Sequence, residues 1–429
     1  MDEEPDNIDI KEMQREAIKN SDMSDEEKAR ELLATVEIPK QKMNKKIVAL
    51  IVVAAVLIIG AIVWKVIDEL DIFENKVDDE TAQVINQATS ISGEKINLSD
   101  YNNDVLIEKG GEYVLSGKLA HGVIINSSEP VKLTLDGVEI NNTTSAAIAN
   151  VGTGTIEVIL AEGTDNVLSD GGESEQDGCL FSASDMVISG EGTLRVHGRQ
   201  TEGEGIATDS ANLTINGGDI YVESADDGLN AGGDGGMITI NGGNLRIKAG
   251  GDGIDSNQGA VFNGGVIYVA GSATGGDAGI DTDGGYTING GTVIALGSDM
   301  LETPGDTSKQ PVLAFNLGSV INSGTLVTLV DNEGRIIVSF EAMETFRTLV
   351  ISAAGFTMIE DGGYYLYTGG THTGEAVKGV YGDGKFSGGT PVSVSGTTSF
   401  SLTGAVTLVG QSMGPGGAGG TPPQGGPNW

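Results

Sequence analysis

One short phrase recurs along this chain and decides most of what it can become. Leu213-Thr-Ile-Asn216-Gly-Gly-Asp-Ile-Tyr-Val222 returns as Ile238-Thr-Ile-Asn241-Gly-Gly-Asn-Leu-Arg-Ile247. It returns again as Val261-Phe-Asn263-Gly-Gly-Val-Ile-Tyr-Val269 and Thr287-Ile-Asn289-Gly-Gly-Thr-Val-Ile-Ala295. The four asparagines are 25, 22 and 26 residues apart. Weaker copies precede them at Met186 to Val196 and Leu133 to Ile140. Similarity at a fixed period means stacked units, each too small to bury its own apolar face. No unit holds a helical pattern of ten or more residues, which excludes helix-containing leucine-rich repeats and βαβ folds. Propeller blades need about 40 residues. What fits is an all-β solenoid, a parallel β-helix with three short strands per coil. Period-2 alternation puts Leu213, Ile215, Ile238, Ile240, Leu245 and Ile247 in its core. The Asn-Gly-Gly corner supplies left-handed backbone, and its asparagines should form an amide ladder.

Composition agrees where the repeat needs it to. The 67 glycines follow no G-x-y period, which excludes collagen, and aromatics are only 5%, as suits a core of stacked Ile, Val and Leu. The single cysteine, Cys179, leaves no intrachain disulfide and reads as a buried small hydrophobe. After Pro304 the period is lost. Strands such as Arg335 to Phe340 and Tyr364 to Tyr367 are expected to form further coils and a cap, with the tyrosines in the cap core.

Ile47 to Trp64 is an apolar run of 18 residues, with Lys40, Lys42, Lys45 and Lys46 before it and Asp68, Glu69 and Asp71 after it. That length nearly spans a bilayer, and the lysines place the N-terminus inside. The expected organisation is a cytoplasmic segment 1–45, a transmembrane helix 46–66 acting as an uncleaved signal anchor, and a linker with first strands at 67–100. The extracytoplasmic β-helix with its cap takes 101–410, and a disordered Gly/Pro-rich tail takes 411–429. The expected location is therefore the cell membrane, single-pass, with the C-terminal domain outside. A net charge of −37 excludes nucleic acid as a partner and attracts cations.

The charge is uneven. Between Glu202 and Asp306 there are 16 acidic residues against two basic ones, Arg246 and Lys248. A second motif follows each Asn-Gly-Gly strand pair: Asp226-Asp227-Gly-Leu-Asn230, Gly251-Asp252-Gly-Ile-Asp255, then Asp277-Ala-Gly-Ile-Asp281, continuing as Asp299-Met-Leu-Glu302. Aligned, these give one column of Asn230, Asp255, Asp281 and Glu302. A second holds Asp227, Asp252 and Asp299, broken by Ala278, and a third holds Gly232, Asn257 and Asp283. Stacked carboxylates ~4.8 Å apart repel by roughly 3 kcal/mol at an effective dielectric near 20. Raised pKa values or bound cations must answer this. Hard carboxylate and amide oxygens beside glycine-turn carbonyls suit Ca²⁺. The candidate metal ligands are therefore Asp227, Asn230, Asp252, Asp255, Asn257, Asp281 and Asp283, with Asp299 and Glu302 outlying.

Several stretches together resemble a bacterial family of carbohydrate-binding proteins: Glu112-Tyr-Val-Leu-Ser-Gly117, Leu133-Thr-Leu-Asp-Gly137, Leu160 to Gly171, the Asp-Gly-Ile-Asp repeats and Tyr365-Leu-Tyr-Thr-Gly-Gly370. The resemblance covers about residues 85–410. It implies a right-handed parallel β-helix similar to that of pectate lyases, calcium, and non-catalytic binding of polysaccharide, cellulosic or acidic and polygalacturonate-like. Two alternatives stay open. A Ca²⁺-dependent lyase needs a base to abstract the proton α to a uronate carboxylate, for which Arg246 and Lys248 are the candidates. A surface stalk or adhesin needs no sugar at all. His121, His197 and His372 match no metal or triad spacing.

Overall fold

A computed structural model describes residues 85 and 87–411, apart from 173–175, 202 and 234. The apolar run 47–64, the segment 1–45 and the tail 412–429 lie outside the described residues. Among the described residues no helix is long and apolar enough to cross a membrane.

The expected solenoid is present, wound as a right-handed parallel β-helix. Its first face stacks nine short strands, from Thr89–Ser90 through Leu229–Gly232 and Ile254–Ser256 to Asp281–Thr282, all in parallel register. The second face runs from Lys95–Asn97 to Tyr286–Ile288. The third carries Thr193–His197, Asp219–Glu223, Asn244–Lys248, Val266–Ala270 and Thr292–Gly297. In the early coils the last two faces are continuous, because Gly111–Leu119 and Val131–Asn141 bend round the corner as single strands.

The alternation read from the sequence fixes which side chains point inward. One coil contributes Leu213, Ile215, Ile220, Val222, Leu229 and Ala231, all 1% exposed or less. The next contributes Ile238, Ile240, Leu245, Ile247 and Ile254, with the same burial. Each such Leu, Ile or Val stabilises by about 1.5–3 kcal/mol relative to exposure, and together they form one continuous apolar column. Cys179 is fully buried within it.

The corner between the second and third faces holds the amide ladder. Asn241 Nδ2 donates to Asn216 Oδ1 at 2.8 Å, Asn263 to Asn241 at 2.8 Å and Asn289 to Asn263 at 2.9 Å. The two glycines after each asparagine have separate reasons. The second lies in the left-handed region, as at Gly243 (φ 92°). The first sits on the coil below: a Cβ on Gly242 would lie 2.9 Å from the Asn216 carbonyl oxygen.

The regular coils stop at Thr292–Gly297. Of the further coils and cap that the sequence suggests beyond Pro304, the structure has the cap, which begins where Phe346–Ser352 lies antiparallel on Thr292–Gly297, with Ile294 opposite Ile351. Reversing direction uses up the open edge, which would otherwise template pairing with another chain. A mainly antiparallel cap follows, with Leu326–Asp331, Ile336–Glu341 and Ile359–Thr368 as its central strands. It has its own core of Phe315, Phe340, Phe346, Tyr364 and Leu366, and this core also takes in Tyr268 and Ile294 from the solenoid. The cap covers the outer side of the last coils, so Val266–Ala270 and Thr292–Gly297 lose their alternation and are buried on both sides.

Candidate functional site: a carboxylate column on the first face

The Asp-Gly-Ile-Asp motif spans the turn from the third face into the first. Its glycine is forced by packing. A Cβ on Gly253 would strike the Val269 side chain and lie 2.5 Å from the Gly279 carbonyl oxygen, and Gly228 meets Ile247 and Gly253 in the same way. This close nesting sets each coil's acidic residues directly on those of the next.

The strand register places Asn230, Asp255 and Asp281 in one column, as the sequence alignment gave it. Beside it, Asp227 Oδ1 accepts from the Asp252 backbone N–H at 2.7 Å, and Asp252 Oδ1 accepts from that of Ala278. Asp283 and Asn257 stand exposed one residue beyond the strands, and Asn257 donates its side-chain amide to the Gly233 carbonyl. Glu302 is not on a strand of the first face. It folds back beneath the last coil, where its carboxylate accepts from Thr282 N at 2.6 Å and Thr282 Oγ1 at 2.7 Å, beside Asp281. Asp299 is drawn away, because Arg347 of the cap donates to its carboxylate.

Sequence reading missed Glu204. Its Glu-Gly-Ile occupies the same place one coil earlier as Asp227-Gly-Leu, with Ile206 in register with Leu229. The exchange of Asp for Glu, and Ala207 in the slot of Asn230, hide the motif. Asn230 Nδ2 donates to Glu204 Oε1 at 3.0 Å and to Asp227 Oδ2 at 3.2 Å, so one amide tempers two carboxylates. Glu204 Oε2 is buried with no donor among its neighbours. The carboxyl of Asp177 lies beside it, and the two can bond only when one carries a proton.

Electrostatically the column is strained. Burial pushes the carboxyls of Asp227, Asp252 and Asp255 up to about 8, 7 and 6, and neighbouring aspartates add to the shift. Burial likewise raises Asp281, Glu204 and Glu302, the last to about 8 against the opposing Thr282 bonds. The two basic residues of the region give no relief. Lys248 pairs with Glu344 of the cap at 2.9 Å, and Arg246 lines a groove of about 230 Å³ on the third face with Arg195 and Tyr221.

The donors are of the type a hard cation takes: carboxylate and amide oxygens. Among the described residues no three His, Cys, Asp or Glu side chains converge as a ready-made cage. An ion here would therefore draw on backbone carbonyls, water and the oxygens of a ligand as well.

The sequence model of a family described as carbohydrate-binding domain-containing protein matches residues 101–362. A carbohydrate-binding domain-containing protein of Acetivibrio thermocellus is 34% identical over 158 residues, covering 34% of this chain and 54% of that protein. The chain thus spans about half the length of that relative. Among solved structures, a polysaccharide lyase-like protein from C. thermocellum, a gadolinium derivative, is 27% identical, with 46% of this chain and 84% of that one covered and a TM-score of 0.34.

Proposed function

Because the chain belongs to the carbohydrate-binding domain-containing protein family, we propose that it is a non-catalytic polysaccharide-binding protein held at the cell surface. Its ligand is an acidic, polygalacturonate-like or a cellulosic polymer, and Ca²⁺ bound at the carboxylate column takes part. The observation that carries the calcium reading is the stack of half-buried carboxyls at Asp227, Asp252, Asp255 and Asp281, whose pKa values burial raises and which no basic residue offsets. Asp283 completes the donor set, and Asp299, engaged by Arg347, drops out of it. When bound, the cation would supply positive charge to which uronate carboxylates can attach; without it a chain of net charge −37 repels them. The residues' own part is to hold oxygens in fixed register along a rigid stack.

The anchor reading rests on the apolar run 47–64 and its lysine-rich N-terminal flank. It requires the full chain to fractionate with membranes and a chain lacking 1–66 not to.

The lyase alternative is disfavoured by the placement of its candidate bases. Lys248 is tied to Glu344, and the groove that Arg246 lines contains none of the column's carboxylates. Co-sedimentation of the full chain with polygalacturonate and with cellulose, in Ca²⁺ and in chelator, tests the proposal. We expect retention on at least one polymer, loss of polygalacturonate retention on chelation, and no release of unsaturated uronate. Retention on neither polymer would overturn it, and uronate release would replace it with the lyase.

A further inference from the structure

The cap carries a second feature, far along the sequence from the carboxylate column and sharing no residue with it. A groove of about 520 Å³ runs between the strand Ile336–Glu341 and the loop that follows Val380–Tyr381. Its lining includes Ile337, Tyr381 and Phe386 together with Arg335, Asp383 and Lys385. The size lies within the ~300–1,000 Å³ of small-molecule sites, and the lining is mostly polar, with the Tyr381 and Phe386 rings set into it.

Both groove aromatics are backed by another ring. His372 packs against Tyr381 with centroids 4.5 Å apart, and Tyr367 against Phe386 at 5.6 Å. Backing restricts ring motion and leaves other ring surface to the groove, where both side chains stay partly exposed. A cap core alone does not explain them, since Tyr364, Phe340 and Phe400 form that core and are 3% exposed or less. The polar groups are arranged with equal economy. Arg335 is fixed through Nε by Asp331 at 2.6 Å, which orients the guanidinium. Lys385 makes no ion pair among the described residues, although acidic residues outnumber basic ones 61 to 24 in the chain. An unpaired ammonium beside backed aromatic rings fits a ligand with an apolar ring face and a negative substituent.

We propose that this groove is a saccharide subsite that takes a carboxylate-bearing sugar unit, its apolar face on Tyr381 and Phe386 and its carboxylate toward Lys385 and Arg335. The proposal rests on the polysaccharide-binding reading above and adds to it a place and a division of labour. The aromatic rings serve neutral and acidic sugars alike, and Lys385 selects the acidic ones.

The test is calorimetric titration of the full-length chain with a soluble oligogalacturonate and with cellohexaose, at fixed Ca²⁺. Tyr381→Ala/Phe386→Ala should weaken every oligomer that the wild type binds by about tenfold or more. Lys385→Glu, at an exposed side chain, should weaken the oligogalacturonate by about tenfold and leave any cellohexaose binding unchanged. Thermal melting identifies a double variant that has lost its fold, and Lys385→Glu then decides alone. Wild-type affinity for the oligogalacturonate in a folded double variant, or in Lys385→Glu, overturns the subsite and leaves the polysaccharide reading standing. A wild-type chain that binds neither oligomer overturns both.

Discussion

The asparagine corner and the carboxylate column are built on the same geometry and reach opposite electrostatic states. Each stacks equivalent residues of successive coils at strand spacing. At the corner, an amide is donor and acceptor at once, so Asn216, Asn241, Asn263 and Asn289 satisfy one another in a row. On the first face, an ionised carboxylate only accepts, so Asp255 stacked on Asp281 leaves each without a donor from the other. Protons or cations must supply what the neighbour does not. A solenoid therefore converts a choice of one side chain per repeat into either a structural seam or a charged strip, with the backbone unchanged.

The comparison breaks most visibly where the shared geometry itself is removed. Gly253→Ala forces a methyl group against Val269 and the Gly279 backbone, and overpacking of this kind costs about 1–3 kcal/mol or more. Denaturant titration should show that loss, while Gly276→Ala, with open space around its Cα, should stay within about 0.5 kcal/mol of wild type.

Asn241→Asp turns one rung of the seam into a rung of the column. It removes the donor to Asn216 and keeps the acceptor for Asn263, so about 1–2 kcal/mol should be lost at neutral pH. Unchanged stability would mean the ladder contributes nothing beyond the water it displaces.

The reverse exchange, Asp255→Asn, restores a donor and removes a charge between Asn230 and Asp281. In chelator this variant should melt above wild type, by up to about 1 kcal/mol of added stability, and its response to Ca²⁺ should be weaker. For wild type with a native-state site, each tenfold of Ca²⁺ above Kd adds about 1.4 kcal/mol. A melting curve insensitive to both the ion and the substitution would sink the calcium reading.

The smallest effect is on pH dependence. Folded-state values of about 6–8 at Asp255, Asp252 and Asp227 lie above the ordinary carboxyl value of 3.8. Between those limits the folded chain holds more protons than the unfolded one, so stability falls as pH rises. Without metal, Tm should climb as pH drops from 8 toward 5, opposite to ordinary acid denaturation, and Asp255→Asn should flatten the slope.

The sequence by itself determined everything that repeats. A fixed period maps position in the chain onto position in the stack, so the core residues, the amide seam and the order Asn230, Asp255, Asp281 could be read before any coordinate. What has no period was left to the tertiary structure. Glu204 joins the column from a diverged coil, and Arg347 takes Asp299 out of it. The cap is held down by contacts that no local pattern foretells. The Tyr268 hydroxyl donates to Glu341 O at 2.6 Å, and Lys378 places a nearly buried ammonium 2.7 Å from Asp219 and 4.7 Å from the Tyr221 ring centre. Lys378 and Asp219 are 159 residues apart in the chain. Translation along a stack is encoded locally in each repeat, whereas closure of its end depends on surfaces that exist only once the coils have formed.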